Sequence, residues 1–175
     1  ETGELMQLTD RGDLSPWSIY PSHDGNAVFF TAGTSGWRLN LDSLEEVELV
    51  NFSARRMRER GMVGAAMGTT ALSSDDQRWA IRYNIDDEVA LSIVDTSTGQ
   101  QETILRRDSI GHMQFCPDDP DLLYYAGPLT DRVWVINWDG SNNRRLYARN
   151  VERNEWITHE SWIPTTRELA FVDWP

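Results

Sequence analysis

The stretch 111-GHMQFCPDDPDLLYY-125 predicts a short strand carrying a histidine, a tight turn rich in proline and aspartate, and a second apolar strand. The pattern recurs in 159-HESWIPTTRELAF-171, in 69-TTALSSDDQRWAI-81 and in 17-WSIYPSHDGNAVFF-30, at spacings of 43 to 52 residues. Repeats of this length, with four short strands separated by Asp, Gly and Pro turns, are typical of β-propeller blades. We therefore predict an all-β chain of four-stranded antiparallel blades with almost no helix.

The repeats divide the chain into four segments that we assign to blades: residues 15–52, 66–106, 109–148 and 156–175, the last incomplete. Together they form one partial domain of three to four blades, because 175 residues can bury one sizeable core. A closed propeller needs more blades, since a partial ring exposes strand edges. We expect the missing blades to come from the rest of a longer chain or from another copy.

The composition of the chain argues against some classes of binding partner. The net charge is −12 and all 16 basic residues are arginine, so no basic stripe is available to follow nucleic-acid phosphates. The densest basic patch, 54-ARRMRER-60, is either a solvated loop or a contact for an anionic ligand. The single cysteine, Cys116, excludes an intramolecular disulfide, and no apolar run reaches transmembrane length. These features predict a cytoplasmic protein that binds neither nucleic acid nor membrane.

The repeat register places Trp17, Thr69, His112 and His159 at one equivalent position. In a propeller the first strand of each blade lies beside the central channel, so both histidines should approach the channel mouth from adjacent blades. Period-two alternation then puts Gln114 on the side of His112. Two such histidines suit a metal site or an acid–base centre, although each could also be structural. We predict that the two imidazoles open onto one shared cavity.

Several motifs between residues 108 and 165 resemble the oligogalacturonate lyase family, whereas the earlier blades resemble only the general TolB-like repeat. The resemblance implies a seven-bladed propeller that degrades short pectin fragments in the cytoplasm. It also implies cleavage of the glycosidic bond by β-elimination with a bound divalent metal, typically manganese. The motifs that carry it are 110-IGHMQFCPDDPDLL-123, Gly127-Pro128, 131-DRVWVI-136, Asp139-Gly140 and 158-THESW-162.

The resemblance also implies roles for individual residues. His112 matches the base that removes the proton α to the uronate carboxylate, and His159 matches a metal ligand. The family uses a catalytic arginine upstream of the base; Arg82 is our assignment, with Arg106 and Arg107 as competing candidates. A neutral imidazole has a pKa suited to this proton transfer, and a metal or arginine would stabilise the developing enolate. The residues assigned to substrate binding are Gln114 and Arg132.

The chain departs from the family pattern in two places. The remaining metal ligands of the family, a glutamine and two histidines of a later blade, are expected beyond Pro175. The segment 125-YAGP-128 lacks the His-Glu pair that often precedes Gly-Pro in the family. We therefore expect the 175-residue piece alone to bind metal poorly and to be inactive; the chain is either a fragment or a divergent relative of the family.

Fold alone does not decide function, so a second class stays open. The alternative to the lyase is a non-catalytic TolB-like propeller that acts as a binding scaffold, with both histidines incidental. A third class, the propeller domain of a serine peptidase, is disfavoured because the chain has no Gly-x-Ser-x-Gly motif. A channel that is apolar or blocked by backbone would favour the scaffold.

Overall fold

The computed structural model describes residues 3–52, 69–85 and 87–174, which form fourteen β-strands in four antiparallel sheets. The arginine-rich patch 54–60 lies outside the described residues, so both interpretations of it stay open. Within the described ranges no helix is long and apolar enough to cross a membrane.

Each of the first three sheets is a four-stranded meander in which sequence neighbours pair, and the fourth sheet has two strands among the described residues. The predicted four-stranded antiparallel blades are thereby confirmed. In chain order the strands are β1 (Tyr20–Pro21), β2 (Ala27–Ala32), β3 (Ser35–Asn40), β4 (Glu46–Asn51), β5 (Thr70–Leu72), β6 (Arg78–Ile85), β7 (Glu88–Asp95), β8 (Gln101–Arg107), β9 (Gly111–Cys116), β10 (Asp119–Ala126), β11 (Val133–Asn137), β12 (Arg144–Tyr147), β13 (Trp156–Ile163) and β14 (Glu168–Trp174).

The first strands of the four sheets lie side by side. β1 contacts β5, β5 contacts β9, and β9 contacts β13. The four sheets are therefore arranged as successive blades around their innermost strands, as a β-propeller requires. This arrangement brings the beginnings of β9 and β13 next to each other.

Apolar layers between successive blades form the core. Each middle strand supplies two of these layers, because adjacent side chains of a strand point to opposite faces. In β10, Leu123 and Tyr125 pack against the second blade, whereas Tyr124 and Ala126 pack against the fourth. This explains why the middle strands are buried on both faces while the outer strand β12 is largely exposed.

Polar contacts join the turns that follow the first strand of each blade. The His23 ring nitrogen Nδ1 lies 2.7 Å from a carboxylate oxygen of Asp76, joining blades one and two. The second and third blades are joined by Arg78 and Asp121 at 3.1 Å, and the third and fourth by Arg167 and Asp119 at 2.9 Å. Exposed pairs of this kind contribute at most about 1 kcal/mol each, so the apolar layers dominate the interblade stability.

Asp95 closes the turn between β7 and β8 and provides a pH-dependent test of the blade. Hydrogen bonds from the Ser97 hydroxyl and from the backbone and hydroxyl of Thr98 lower the pKa of Asp95 to about 2, from an ordinary value of 3.8. Since the folded pKa is the lower one, the stabilisation is complete above the ordinary pKa and disappears as pH falls through about 2. We expect Asp95→Asn to lower the free energy of unfolding at neutral pH and to flatten its decline in acid.

Urea unfolding of wild type and Asp95→Asn at a series of pH values measures this difference. Asp10, whose carboxylate makes no hydrogen bond among the described residues, supplies the matched control Asp10→Asn. Parallel pH profiles for Asp95→Asn and wild type would contradict the expectation.

Candidate functional site

His112 and His159 occupy equivalent β-bulges on the innermost strands of the third and fourth blades. On β9, two residues, His112 and Met113, lie opposite the single residue Tyr125 of β10. On β13, His159 and Glu160 lie in the same way opposite Phe171 of β14. Such a bulge redirects side chains and bends the strand, and bulges are common next to active sites.

Both histidines also have left-handed backbone conformations, with φ of 47° at His112 and 53° at His159. The corresponding residues of the first two blades, Trp17 and Thr69, do not have positive φ. Non-glycine residues in this region carry roughly 1–3 kcal/mol of strain and cluster at functional sites, and histidine tolerates the region better than most residues. The strained conformation therefore coincides with the two histidines that the repeat register singled out.

A fully buried carboxylate, Glu160, lies at the centre of the site. It receives a charge-assisted hydrogen bond from Arg132 Nε to Oε1, and Arg132 Nη2 lies 3.5 Å from Oε2. Oε2 is also 3.3 Å from Nδ1 of His112. Burial acts against ionisation, but hydrogen bonds from His112 and Arg132 outweigh it and lower the pKa of Glu160 to about 2. The carboxylate is therefore ionised and faces both a guanidinium and an imidazole.

The His112 ring is only partly enclosed. Its side chain is 34% exposed, and its Nδ1 edge faces Glu160 and lies 3.4 Å from Arg132 Nη2. No hydrogen bond or ion pair involves Nε2 among the described residues. One ring nitrogen is thus held against a buried ion pair, while the other remains available.

Two further hydrogen bonds fix this site across the junction of the third and fourth blades. The Gln114 side-chain amide donates to the backbone oxygen of Glu160 at 2.6 Å, and the Trp162 indole donates to the backbone oxygen of Gln114 at 3.0 Å. Gln114 and His112 therefore both contact Glu160. These bonds fix the backbone that carries the buried carboxylate.

The Tyr124 hydroxyl is buried beside the same carboxylate; it makes no hydrogen bond of normal geometry among the described residues, but it lies close enough to Glu160 for that side chain to affect its pKa. Burial raises the pKa of Tyr124, and the negative charge of Glu160 raises it further. Tyr124 is therefore a neutral hydroxyl group next to the ion pair.

His159 points to solvent and makes no hydrogen bond or ion pair in the described part of the chain. The described residues contain no cluster of three or more His, Cys, Asp or Glu side chains placed to hold a metal ion. These residues therefore do not make a metal site of three or more ligands by themselves. No hydrogen bond joins the imidazoles of His112 and His159 in these ranges, so their shared cavity stays a prediction.

The three candidate arginines lie in different environments. Arg82 is on β6, where its backbone N–H donates to the oxygen of Thr69, the second-blade counterpart of His112, at 2.8 Å. Arg107 donates to the Tyr125 hydroxyl at 2.8 Å and stacks over the ring of Trp134 at 4.2 Å. Arg106 is exposed near the end of β8. Arg82 is therefore the candidate on the inner part of its blade.

Glu160 and Tyr124 received no role from the sequence, although the repeat contains a clue to Glu160. The residues equivalent to Glu160 in the other blades are Ser18, Thr70 and Met113, and all are buried. A glutamate at a position that the other repeats bury requires a cationic partner. The repeat indicates the need for such a partner but not its identity, Arg132.

The sequence of this chain is similar to that of a known protein. The curated oligogalacturonate lyase of Dickeya dadantii (strain 3937) is 37% identical over 192 aligned positions, which cover 99% of this chain and 49% of the relative. The chain thus spans about half the length of that relative. No family model matches the chain. The resemblance to oligogalacturonate lyases indicated by the motifs is confirmed.

Solved structures confirm the fold. An oligogalacturonate lyase in complex with manganese has a TM-score of 0.79 and 24% identity, covering 96% of this chain and 49% of that one. The oligogalacturonate lyase of Vibrio parahaemolyticus has a TM-score of 0.78 and 23% identity, with the same coverages. TolB of Acinetobacter baumannii has a TM-score of 0.65 and 11% identity, covering 90% of this chain and 37% of that one. At these identities the likeness establishes the β-propeller fold alone.

Proposed function

We propose that this chain, which resembles an oligogalacturonate lyase along its whole length, is part of such an enzyme and acts on short pectin-derived oligogalacturonides. The observation that supports this most directly is the environment of His112. Its ring lies on a strained bulge, with Nδ1 against a buried ion pair and Nε2 without a hydrogen bond or ion pair among the described residues. A partly exposed imidazole oriented by a carboxylate is suited to general base catalysis.

The reaction that this geometry suits is β-elimination. His112 takes the proton from C5, which is α to the uronate carboxylate, and the electron pair is first held as an enolate on that carboxylate. It then forms the C4–C5 double bond as the C4–O4 bond breaks, and the glycosidic oxygen leaves with the other part of the oligosaccharide and takes up a proton, from the imidazolium or from water. Arg82 would stabilise the negative charge that develops on the carboxylate. Arg132 and Gln114, which adjoin the base, are the proposed contacts to the acidic substrate.

His159 is the proposed contribution of this chain to a divalent metal site, with manganese as the proposed ion. The exposed imidazole suits this role, and the remaining ligands would come from further parts of the full-length protein. A bound divalent cation supplies Lewis-acid stabilisation of a carboxylate. The further blades of the ring and the cytoplasmic location belong to the same proposal and are supported by the family resemblance alone.

Digalacturonate is the substrate for the direct test. We would incubate it with the full-length, manganese-loaded protein and follow the ultraviolet absorbance of the unsaturated product. Increasing absorbance supports the lyase. A protein with bound manganese and no such activity would favour a different uronate or the non-catalytic binding scaffold.

We expect His159→Ala to weaken manganese binding by the full-length protein. Loss of residues that merely support a ligand lowers metal affinity about 10- to 100-fold, so loss of a ligand should have at least this effect. Electron paramagnetic resonance titration of free manganese measures it independently of activity. His23→Ala is the matched control, since His23 lies in an exposed turn next to Asp76. Equal affinities of His159→Ala and wild type would exclude His159 as a ligand.

A further inference from the structure

We propose that Glu160 is a positioning residue that holds the imidazole of His112 with its proton on Nδ1, leaving the lone pair of Nε2 to accept the substrate proton. The base comes from the third blade and the residue that orients it from the fourth. This inference rests on the proposed function for its catalytic consequence. The tautomer itself is a property of the protein alone.

The hydrogen-bonding needs of Glu160 favour this tautomer. Its side chain is fully buried, so both carboxylate oxygens must find donors within the protein. Oε1 receives the bond from Arg132 Nε, but Oε2 has only a long contact of 3.5 Å to Arg132 Nη2. The Nδ1 atom of His112 is nearer, at 3.3 Å. A proton on Nδ1 therefore gives Oε2 a nearer donor than Arg132 Nη2.

The opposite tautomer creates an unfavourable contact. With the proton on Nε2, the lone pair of Nδ1 would face the ionised Oε2 atom at 3.3 Å. Arg132 Nη2 carries two hydrogens and could donate one to that lone pair at 3.4 Å, but the lone pair would still face the carboxylate oxygen. The Nδ1–H tautomer replaces this repulsion with a donor to Oε2. It also places negative charge beside the imidazolium that forms when the base accepts a proton.

The position of Glu160, on the fourth blade, is fixed by two contacts from the third blade. Its backbone oxygen accepts the 2.6 Å hydrogen bond from the Gln114 side chain, two residues from His112 on the same strand. Its carboxylate is bound by Arg132, also from the third blade. Docking of the fourth blade onto the third therefore determines the geometry of the base.

Glu160→Gln is the informative substitution because it keeps the size of the side chain. Arg132 donates only, so it should take the amide oxygen of Gln and leave the amide NH2 facing Nδ1 of His112. That group can donate but cannot accept, so the variant favours the lone pair on Nδ1 and the proton on Nε2. The substitution should reverse the tautomer without removing the base.

Nuclear magnetic resonance of the full-length protein with ¹⁵N-labelled histidine measures the tautomer directly. The protein is prepared without manganese, because a paramagnetic ion broadens the signals, and the His112 resonances are those lost in His112→Gln. We expect the Nδ1–H tautomer in the wild type and loss of that preference in Glu160→Gln. An Nε2–H tautomer in the wild type would overturn the proposal. This outcome is independent of lyase activity and of the behaviour of any Glu160 variant.

Kinetics of the manganese-loaded full-length enzyme test the catalytic consequence. We expect Glu160→Gln to lower kcat about 10- to 100-fold, the usual effect of removing a residue that orients a ligand or base, with little change in KM. The matched control is Glu155→Gln, because Glu155 is also buried but binds Tyr147 and the backbone of Asn150. Glu155→Gln should retain the wild-type kcat.

Two kinetic outcomes would overturn the positioning role. One is an unchanged kcat in Glu160→Gln; the other is a fall in kcat that follows a loss of bound manganese, which would place the effect at neighbouring His159. Manganese content is therefore measured in every variant. Absence of lyase activity in the metal-loaded wild type would instead contradict the proposed function, and the tautomer measurement would still decide the role of Glu160.

Discussion

If the proposed lyase function holds, replacement of His112 by alanine is expected to lower kcat of the full-length protein by about 10²- to 10⁴-fold, the usual contribution of a general base. The ring is the one imidazole among the described residues that is both partly exposed and oriented by a buried carboxylate. Its removal leaves the Arg132–Glu160 pair in place but provides no group to take the C5 proton. The loss should appear in kcat, while KM changes little.

The backbone conformation at position 112 is unfavourable for alanine, so a second variant is needed. Its φ of 47° lies in the left-handed region, where alanine is disfavoured by about 1–2 kcal/mol. His112→Asn avoids this difficulty, because asparagine tolerates that region but cannot act as a base. Both variants should be inactive, and His112→Asn should unfold at a temperature closer to that of the wild type.

Production of the unsaturated uronate measures the loss, with thermal unfolding followed in parallel. His23→Ala serves as the control for removal of a histidine elsewhere. Substantial activity in a folded His112→Asn variant would exclude His112 as the base, whatever the fate of His112→Ala.

Trp79→Ala is expected to lower the free energy of unfolding by about 3–5 kcal/mol, the range for truncation of a large buried aromatic residue. Trp79 is completely buried in the apolar layer between the first two blades. Its ring lies 5.6 Å from that of Phe29, and a Cβ atom added to Gly36 would lie only 2.6 Å from its Cζ3 atom. The first blade therefore uses a glycine to accommodate the indole of the second.

The matched control is Trp79→Phe. The Trp79 indole N–H has no hydrogen-bond partner among the described residues, so its loss removes an unsatisfied donor and offsets part of the lost packing. We expect Trp79→Phe to be less destabilising than Trp79→Ala. Urea unfolding compares the variants.

Gly36→Ala tests the contact between Gly36 and Trp79 directly. Alone, this substitution should overpack the apolar layer and lower the free energy of unfolding by about 1–3 kcal/mol. Combined with Trp79→Ala it should lose part of that penalty, because the collision with the indole is gone and only the 2.9 Å approach to Val50 Cγ1 remains. Additive effects of the two substitutions would show that Gly36 and Trp79 do not interact.

Much of the fold could be predicted from sequence because its determinants are local. The turns at Ser22, Ser74, Pro117 and Pro164 punctuate alternating apolar strands, and both the turn residues and the period of two belong to contiguous segments. The same register aligned His112 with His159, and the structure places both at the same position of adjacent blades.

The environment of His112 could not be predicted in this way. Each bulge inserts one residue into its strand and so changes the side of the sheet to which neighbouring side chains point. A prediction that assumes regular alternation along the strand cannot include this insertion. Arg132 and Glu160 are 28 residues apart and lie on different blades. The sequence contains no pattern that pairs these two residues. The sequence also cannot decide which of Arg82, Arg106 and Arg107 is the catalytic arginine, because that depends on which side chain lies near the base in the folded protein.

The sequence by itself determined the repeat, the all-β blades, the equivalence of the two histidines and the resemblance to oligogalacturonate lyases. The tertiary structure alone decided that a buried glutamate and an arginine meet at Nδ1 of His112. Strand and turn formation depends on residues close together in the chain, whereas the pairing of buried charges depends on distances that exist only after the blades have packed.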